Sequence, residues 1–586
     1  MRHSATRLCC LLLLPLWLGC ATAPDQEPAA PAVSATSKPE TAPAAEPEPA
    51  AEEIEYGNFT EDQLYMALMA EIGGQRGRFE EAGEQYRELA LSTRDLNIIR
   101  RAVQFASANE DTRSLLELGL LWAEVSPADP QPHLFLAFEF LDSGNFDQAL
   151  SHMARVIDLG AEVDFTALAA RTGQLNRDQR GRLIASLRQL RNEFSDQPSI
   201  HMTLVQLLAQ NGDYQAALEE LTTLIGEGEL TPMLLRLEAQ ILQNSGDGGG
   251  ALRTLRDGVR EFPNDRAIGL SYARMLVQRE DYAAARDQFR VLVEINSEDW
   301  ETWYSLGLLE MELDNYDDAE AIFERLSNVD EYADQSHFYL GMIHEEQDDR
   351  GQAIEHYRQV RIGTNNYLAA QQQATRLAIE RGDLAEAHSW LISQSRGQPR
   401  LEILFTTIES NALVQTGHAD AARELLDTAL NKYPNDADLL FARVLLNDNL
   451  GNRDASERDL QQIIRMQPEN AQALNHLGYM LADQTTRFEE ALQLIERAIA
   501  VEPDDPAIID SLGWAQYKVG QLEEALRNLR RAYAEFPNHE VASHLGEVLW
   551  QLDRQDEAMA IWEEGLEAEP DSPIIQEAMD RLLPDR

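Results

Sequence analysis

Cysteine is almost absent from this chain of 586 residues. The three cysteines, Cys9, Cys10 and Cys20, all lie near its start. The rest of the chain therefore has no disulfide, no thiolate metal site and no cysteine nucleophile. Without these groups, the chain has to gain its stability from packing alone.

Positive charge is also scarce. There are 49 lysine and arginine residues against 101 aspartate and glutamate residues, a formal net charge of −52. Nucleic-acid binding depends on cations that neutralise phosphates, so this balance argues against a nucleic-acid partner. An anionic membrane surface is disfavoured for the same reason, whereas a basic protein would be attracted. Solubility and a saline habitat are the other two interpretations of the charge.

The first residues combine a short basic region with an apolar stretch. Leu8 to Leu18 is too short for a stable transmembrane helix but fits the core of a secretory signal. The pentapeptide LWLGC, which ends at Cys20, resembles a bacterial lipobox. This resemblance implies a lipoprotein signal peptide at 1–19, a lipidated Cys20, and a place on the periplasmic face of the outer membrane. A plain cleaved signal with an unmodified Cys20 is the alternative.

Residues 20–53 are rich in alanine, proline and glutamate, and their prolines run from Pro24 to Pro49. Proline cannot donate a backbone hydrogen bond, and this composition cannot bury apolar surface. The segment therefore predicts a disordered tether between the lipid and the rest of the chain.

A pattern with a period of about 34 residues fills residues 54–586. Around Ala319, for example, Gly307 lies twelve residues earlier and Phe323 four residues later. The equivalent positions along the chain are Ala82, Leu116, Ala149, Leu183, Ala217, Ala251, Ala285, Ala319, Ala353, Ala387, Ala422, Ser456, Ala491, Ala525 and Ala558.

This spacing resembles the tetratricopeptide repeat, in which small residues let two helices approach closely. It predicts an all-α tetratricopeptide-repeat solenoid, a right-handed superhelix of about fifteen helix pairs. Residues 54–198 are less regular, and the number of repeats in 95–198 is left open. Residues 199–586 carry the regular repeats.

Catalytic patterns are weak. The glycine-rich run at 246–250 has no strand before it, so it is interpreted as an inter-helix turn. His539 and His544 are five residues apart, whereas a helical zinc site needs four. We therefore predict no catalytic, cofactor-binding or metal-binding residues, and a protein that is not an enzyme.

Protein binding is the function class that remains. The solenoid fold predicts a concave groove formed by the first helix of each pair. Aromatic residues in such a groove can anchor an extended chain, although packing as core is the alternative for each. The predicted groove residues are Phe135, Phe138, Tyr304, Phe338, Tyr339, Phe441, Tyr479, Trp514, Tyr517 and Trp550. A basic clamp for a carboxylate is disfavoured, because Asn475, Asp510 and Ser543 occupy the matching positions.

The run LYMALMAEIGGQRGRF, from Leu64 to Phe79, follows the lipobox and the tether. With this layout, the chain resembles the outer-membrane tetratricopeptide lipoproteins of the LbcA type, found in Pseudomonas-like bacteria. The resemblance implies an adaptor that holds a periplasmic carboxyl-terminal processing protease through its N-terminal helices. It also implies that the spiral captures peptidoglycan hydrolases for degradation, and that the membrane is contacted through the lipid anchor only.

Residues 60–73 correspond to the helix that holds the protease, with Thr60 and Gln63 as its capping box. By the resemblance, the protease-binding residues are Leu64, Tyr65, Leu68, Met69 and Ile72. An ordinary solenoid cap is the alternative for this helix. The alternative for the whole chain is a structural scaffold for a pilus, for polysaccharide export or for outer-membrane protein assembly.

Overall fold

The computed structural model describes residues 59–583 except residues 174, 229 and 396. The predicted signal peptide, Cys20 and tether lie outside the described residues. In the part that is described, thirty-one α-helices follow one another and no strand occurs. The prediction of an all-α repeat fold is therefore confirmed. The chain forms two compact units, the first ending at Leu313 and the second beginning at Asp314.

The first unit is a series of seven helix pairs, joined by short turns, and one further helix. In six of the seven pairs, the two helices pack closely against each other. Its helices are α1 (Glu61–Gln75), α2 (Phe79–Thr93), α3 (Leu96–Ala108), α4 (Thr112–Val125), α5 (Pro130–Asp142), α6 (Phe146–Asp158), α7 (Thr166–Ala170), α8 (Arg177–Glu193), α9 (Pro198–Asn211), α10 (Tyr214–Glu227), α11 (Pro232–Asn244), α12 (Gly248–Glu261), α13 (Arg266–Gln278), α14 (Tyr282–Ile295) and α15 (Trp300–Glu312).

The second unit continues the alternation and ends on a single helix. Its helices are α16 (Tyr316–Leu326), α17 (Ala333–Glu346), α18 (Arg350–Gln359), α19 (Tyr367–Glu380), α20 (Leu384–Ser395), α21 (Pro399–Gln415), α22 (Ala419–Lys432), α23 (Ala437–Asn449), α24 (Arg453–Met466), α25 (Ala471–Gln484), α26 (Phe488–Val501), α27 (Pro506–Lys518), α28 (Leu522–Glu535), α29 (His539–Gln551), α30 (Gln555–Ala568) and α31 (Pro573–Leu582).

The repeating small residue has one structural position. Thirteen of the fifteen predicted positions hold alanine or serine. Each of these thirteen residues is the fourth residue of the second helix of its pair and is at most 1% exposed. In α24 this residue is Ser456, whose hydroxyl donates to Asp448 at 2.5 Å. A larger side chain there would push the two helices of a pair apart. The 34-residue period therefore records where paired helices approach most closely.

Two of the fifteen predicted positions are wrong. In α4 the fourth residue is the buried Leu115, and Leu116 beside it is only half-buried. In α8, a capping box at Asn176 starts the helix early, so that Leu183 is its seventh residue. The preceding helix α7 has five residues, so this repeat lacks a full first helix against which a small residue is needed.

Buried apolar side chains form the core of each unit. In the second unit one cluster extends from Ala353 to Trp514 and Ala515. At the start of the first unit, a cluster from Ala70 to Trp122 joins the first four helices. Within the described residues no helix precedes α1, which packs on α2. One face of α1 is therefore left outside the core.

Candidate protein-binding surfaces

Helix α1 begins where its sequence predicts. The hydroxyl of Thr60 accepts a hydrogen bond from the backbone N–H of Gln63 at 3.3 Å, and the Gln63 side chain accepts one from the backbone of Thr60 at 3.0 Å. This capping box satisfies two N–H groups at the helix start. Ala70 and Gly73 are the buried residues of α1. They fix which side of α1 faces the core.

The five predicted protease-binding residues lie on the part of α1 that the core does not cover. The exposed fractions are 55% for Leu64, 66% for Tyr65, 55% for Leu68, 37% for Met69 and 39% for Ile72. We call these five residues the α1 face. Large apolar side chains exposed together on one helix are typical of a protein-interaction surface.

The predicted groove residues of the first unit are only partly accessible. Phe138 in α5 is exposed, at 37%, whereas Phe135 and Tyr304 are half-buried. Phe135 packs against Gly119 of α4, where an added Cβ would lie 3.0 Å from its ring. Of these three side chains, Phe138 is therefore the one most open to a partner.

In the second unit, two predicted groove residues belong to the core. Tyr339 is 8% exposed and stacks on Phe323 with ring centroids 5.0 Å apart. Trp514 is 4% exposed and stacks on His544 at 4.1 Å, and the Lys518 ammonium lies 4.2 Å from the centroid of its ring. Since Trp514 is covered in this way, its ring is not open to a partner, and packing as core describes both residues.

The other five groove residues of the second unit are half-buried: Phe338, Phe441, Tyr479, Tyr517 and Trp550. Tyr479 donates its hydroxyl hydrogen to Glu540 at 2.8 Å, and Tyr517 donates to Glu547 at 2.9 Å. Phe441 meets the ring of His476 edge-on at 5.4 Å.

The second unit does not gather these residues into one site. Tyr479, Trp514 and Tyr517 lie near one another, around His544 and the two glutamates. Phe338 contacts Tyr339 at 5.8 Å and belongs to a separate group.

Models of known protein families match the same repeats. Two family models, both described as Tetratricopeptide repeat, match the chain, one at residues 516–582 and the other at 236–299, 304–367 and 445–507. The chain is 35% identical over 493 residues to TPR repeat-containing protein PA4667 of Pseudomonas aeruginosa, an alignment covering 84% of this chain and 83% of that protein. The chain belongs to the tetratricopeptide repeat family.

Two solved structures align with parts of this chain. A tetratricopeptide repeat protein from Parabacteroides merdae covers 43% of this chain and 98% of its own, at 15% identity and a TM-score of 0.31. MamA from Desulfovibrio magneticus covers 29% of this chain and 97% of its own, at 20% identity and a TM-score of 0.26.

Tetratricopeptide repeats are protein-interaction modules, so binding other proteins is the function class of this chain. The family indicates no enzymatic activity. In the described part of the chain, no group of three histidine, cysteine, aspartate or glutamate residues could hold a metal ion. None of the described helices is both long enough and apolar enough to cross a bilayer.

The last tetratricopeptide repeats contain a buried ion pair that was not predicted from the sequence. His544 Nδ1 lies 3.0 Å from an Asp510 carboxylate oxygen, and both side chains are buried. Burial is the largest single influence and lowers the pKa of His544, but Asp510, with smaller contributions from Glu540 and Asp483, raises it, and the net result is a raised pKa. The two residues are 34 positions apart, one repeat length, which is the sequence signal that could have paired them.

A small cleft lies among three consecutive helices of the second unit. Its volume is about 260 Å³, and α28, α29 and α30 contribute its walls. Apolar Tyr533, Leu545, Leu549 and Ile561 line it, with the Arg530–Glu557 ion pair at 2.7 Å beside them.

Proposed function

We propose that this chain is an outer-membrane lipoprotein that acts as an adaptor in the periplasm. It brings a carboxyl-terminal processing protease together with peptidoglycan hydrolases, which the protease then degrades. The α1 face, exposed at the end of the first unit, is the observation that carries this proposal. The resemblance of residues 64–79 to lipoproteins of the LbcA type supports the identity of the partner.

The chemistry of the α1 face suits a fixed protein partner. Burying a leucine or methionine side chain contributes roughly 1.5–3 kcal/mol, so a few such residues can dominate a binding free energy. A terminal cap of a repeat array normally presents a polar outer face, because water covers it. The five apolar side chains of the α1 face depart from that rule, which favours a docking helix over a cap.

The hydrolases require a second surface. Within the second unit, Phe441, Tyr479, Tyr517 and Trp550 remain candidates for it, since each is half-buried and none is fully buried. A partner at the α1 face and a partner at these first-helix positions would occupy different residues. Simultaneous binding is what an adaptor needs, because it raises the effective concentration of the hydrolase at the protease.

The double substitution Leu68→Asp with Met69→Asp tests the proposed protease site. Two carboxylates on the α1 face should weaken protease binding by about 30-fold or more, because a charge cannot be buried there without a partner. Hydrolase binding should change less than about twofold, because its surface lies elsewhere. Surface plasmon resonance with the purified protease and hydrolase measures both affinities.

Leu120→Asp with Met233→Asp is the matched control, since these residues are equally apolar and are 50% and 59% exposed on α4 and α11. The control should bind both partners as the parent does. Equal loss of protease binding in both double variants, with helicity unchanged, would contradict a protease site on α1. The structural scaffold would then be the better interpretation.

A further inference from the structure

One carboxylate ties α1 to the next two helices. Glu71 of α1 accepts a hydrogen bond from the Tyr86 hydroxyl of α2 at 2.9 Å. It also accepts two from the Arg101 guanidinium of α3, at 2.6 Å and 3.2 Å. Such charge-assisted bonds are directional, so they fix both the position and the rotation of α1.

Aromatic packing continues the same contact. Tyr86 stacks on Phe105 with ring centroids 5.1 Å apart, and the Arg101 guanidinium lies 4.8 Å from the centroid of the Phe105 ring. A Cβ at Gly74 would lie 2.6 Å from the Phe105 ring, so α1 approaches α3 at a distance that only glycine allows. We call Glu71, Gly74, Tyr86, Arg101 and Phe105 the α1 clamp.

The electrostatics of the α1 clamp agree with its geometry. The hydrogen bond from Arg101 is the main cause that lowers the pKa of Glu71, so the carboxylate is ionised at neutral pH. Burial, together with the nearby Glu71 charge, raises the pKa of Tyr86, which keeps the phenol protonated and able to donate.

Helix α1 depends on these contacts. It has fifteen residues and carries Gly73 and Gly74 in its last turn, and a helix of this length is marginal when isolated in water. The α1 clamp lies toward its C-terminal half, whereas Leu64, Tyr65 and Leu68 project from its N-terminal half. Contact with α2 and α3 therefore keeps the α1 face helical before any partner arrives.

We propose that α1 is a preformed docking helix, and that Glu71, Tyr86 and Arg101 are positioning residues that hold the α1 face in place for its partner. This inference rests on the proposed function, with the carboxyl-terminal processing protease as the partner. A preformed surface loses less conformational entropy on binding than a helix that has to detach and refold in a partner's groove.

Gly74→Ala distinguishes binding by a preformed helix from binding by a detached helix. The two modes predict opposite changes in affinity for the protease. Alanine raises the helix propensity of α1, which would strengthen binding by a detached helix. In the full-length chain, the same methyl group collides with Phe105 and displaces α1 from α3. We expect protease affinity to fall by about fivefold or more, with faster amide exchange in α1. Stronger or unchanged protease binding would overturn the proposal.

Glu71→Gln with Tyr86→Phe tests the positioning residues without altering the α1 face. Affinity for the purified protease should fall by about tenfold, and amide exchange in α1 of the free chain should quicken. Glu61→Gln, on the same helix but outside the α1 clamp, should change neither. Reversing the pair, Glu71→Arg with Arg101→Glu, should recover part of the affinity that either single reversal loses.

The readouts keep this inference distinct from the proposed function. If the parent chain does not bind the protease, the proposed function fails, whatever the exchange rates show. If the parent binds and the Glu71→Gln, Tyr86→Phe variant binds within twofold of it, the positioning role fails. Lost affinity with parental amide exchange in α1 would also overturn it, because α1 would then still be in place.

Discussion

At the scale of single residues, the close approach of paired helices depends on missing side-chain atoms. A Cβ added to Gly341 in α17 would lie 2.6 Å from two ring carbons of Tyr357 in α18. Tyr357 is 1% exposed and donates its hydroxyl hydrogen to Glu345 at 3.2 Å. Its ring cannot move away without losing both packing and that hydrogen bond.

Gly341→Ala should therefore lower the free energy of unfolding by about 1–3 kcal/mol, through overpacking. Gly181→Ala in α8 is the control, because nothing lies within 4 Å of a Cβ added there. It should stabilise the chain by up to about 1 kcal/mol, through helix propensity alone. Urea denaturation followed by circular dichroism measures both, and effects of the same sign and size would contradict the close contact.

At the scale of helix pairs, histidines join first and second helices at equivalent positions in two repeats. The Nδ1 atoms of His133 in α5 and His152 in α6 are 2.9 Å apart. Those of His337 in α17 and His356 in α18 are 3.2 Å apart, and His356 also stacks on His344 at 5.2 Å. Two rings this close can share one proton but repel each other when both are charged.

This arrangement predicts sensitivity to acid. Burial first, and the charges of His337 and His344 second, lower the pKa of His356 from 6.5 to about 4. Because the folded pKa is depressed, stabilisation by the neutral pair is fully present above pH 6.5 and is lost as the pH falls toward 4. His356→Gln, which cannot be protonated, should remove on the order of 1–2 kcal/mol of that loss, a figure reduced for partial exposure.

The measurement is the free energy of unfolding at pH 7 and at pH 5, for the parent and for His356→Gln. Asp334 and Arg361 face His337, and Glu320 faces His344, so these charges have to be left unchanged. His418→Gln, in a helix pair that lacks such a contact between imidazoles, is the control. An acid loss that is the same in all three proteins would exclude a role for the histidine pair.

The sequence predicts the phase of the helices well, since small residues are required wherever helices meet. It fails at α7 and α8, where a capping box at Asn176 outweighs the repeat phase. It also places Trp514 on the correct helix but not in the core. The Trp514 ring is covered by His544, which lies 30 residues further along the chain in another helix. Spacing within one repeat carries no information on such contacts.

At the scale of the whole chain, arginines connect neighbouring repeats. Arg87 pairs with Glu117 at 2.7 Å, and Arg191 pairs with Glu220 at 2.6 Å, each about one repeat away along the chain. Further pairs of this kind are Arg487 with Glu457 and Arg531 with Asp504. Such pairs engage arginines in contacts within the chain, but acidic residues still outnumber basic residues by 101 to 49. That excess agrees with solubility, with a saline habitat and with a basic partner alike.

Attachment to the membrane is a prediction about the whole chain as well. Cys20 lies outside the described residues, and the proposal that it is lipidated rests on the lipobox resemblance. Cys20→Ala should move the protein from the membrane fraction to the soluble periplasmic fraction, because no acyl chains would remain to hold it. Fractionation followed by immunoblotting measures this shift. A variant that stays in the membrane fraction as fully as the parent would show that Cys20 is not the anchor.

An adaptor should speed degradation by holding protease and hydrolase together. The rate at which the purified protease degrades a peptidoglycan hydrolase, with and without this chain, tests this function. We expect the parent to raise that rate by about tenfold or more through effective concentration, and Leu68→Asp with Met69→Asp to abolish the increase. The control pair Leu120→Asp with Met233→Asp should match the parent. Degradation at one rate in all four mixtures would contradict an adaptor function.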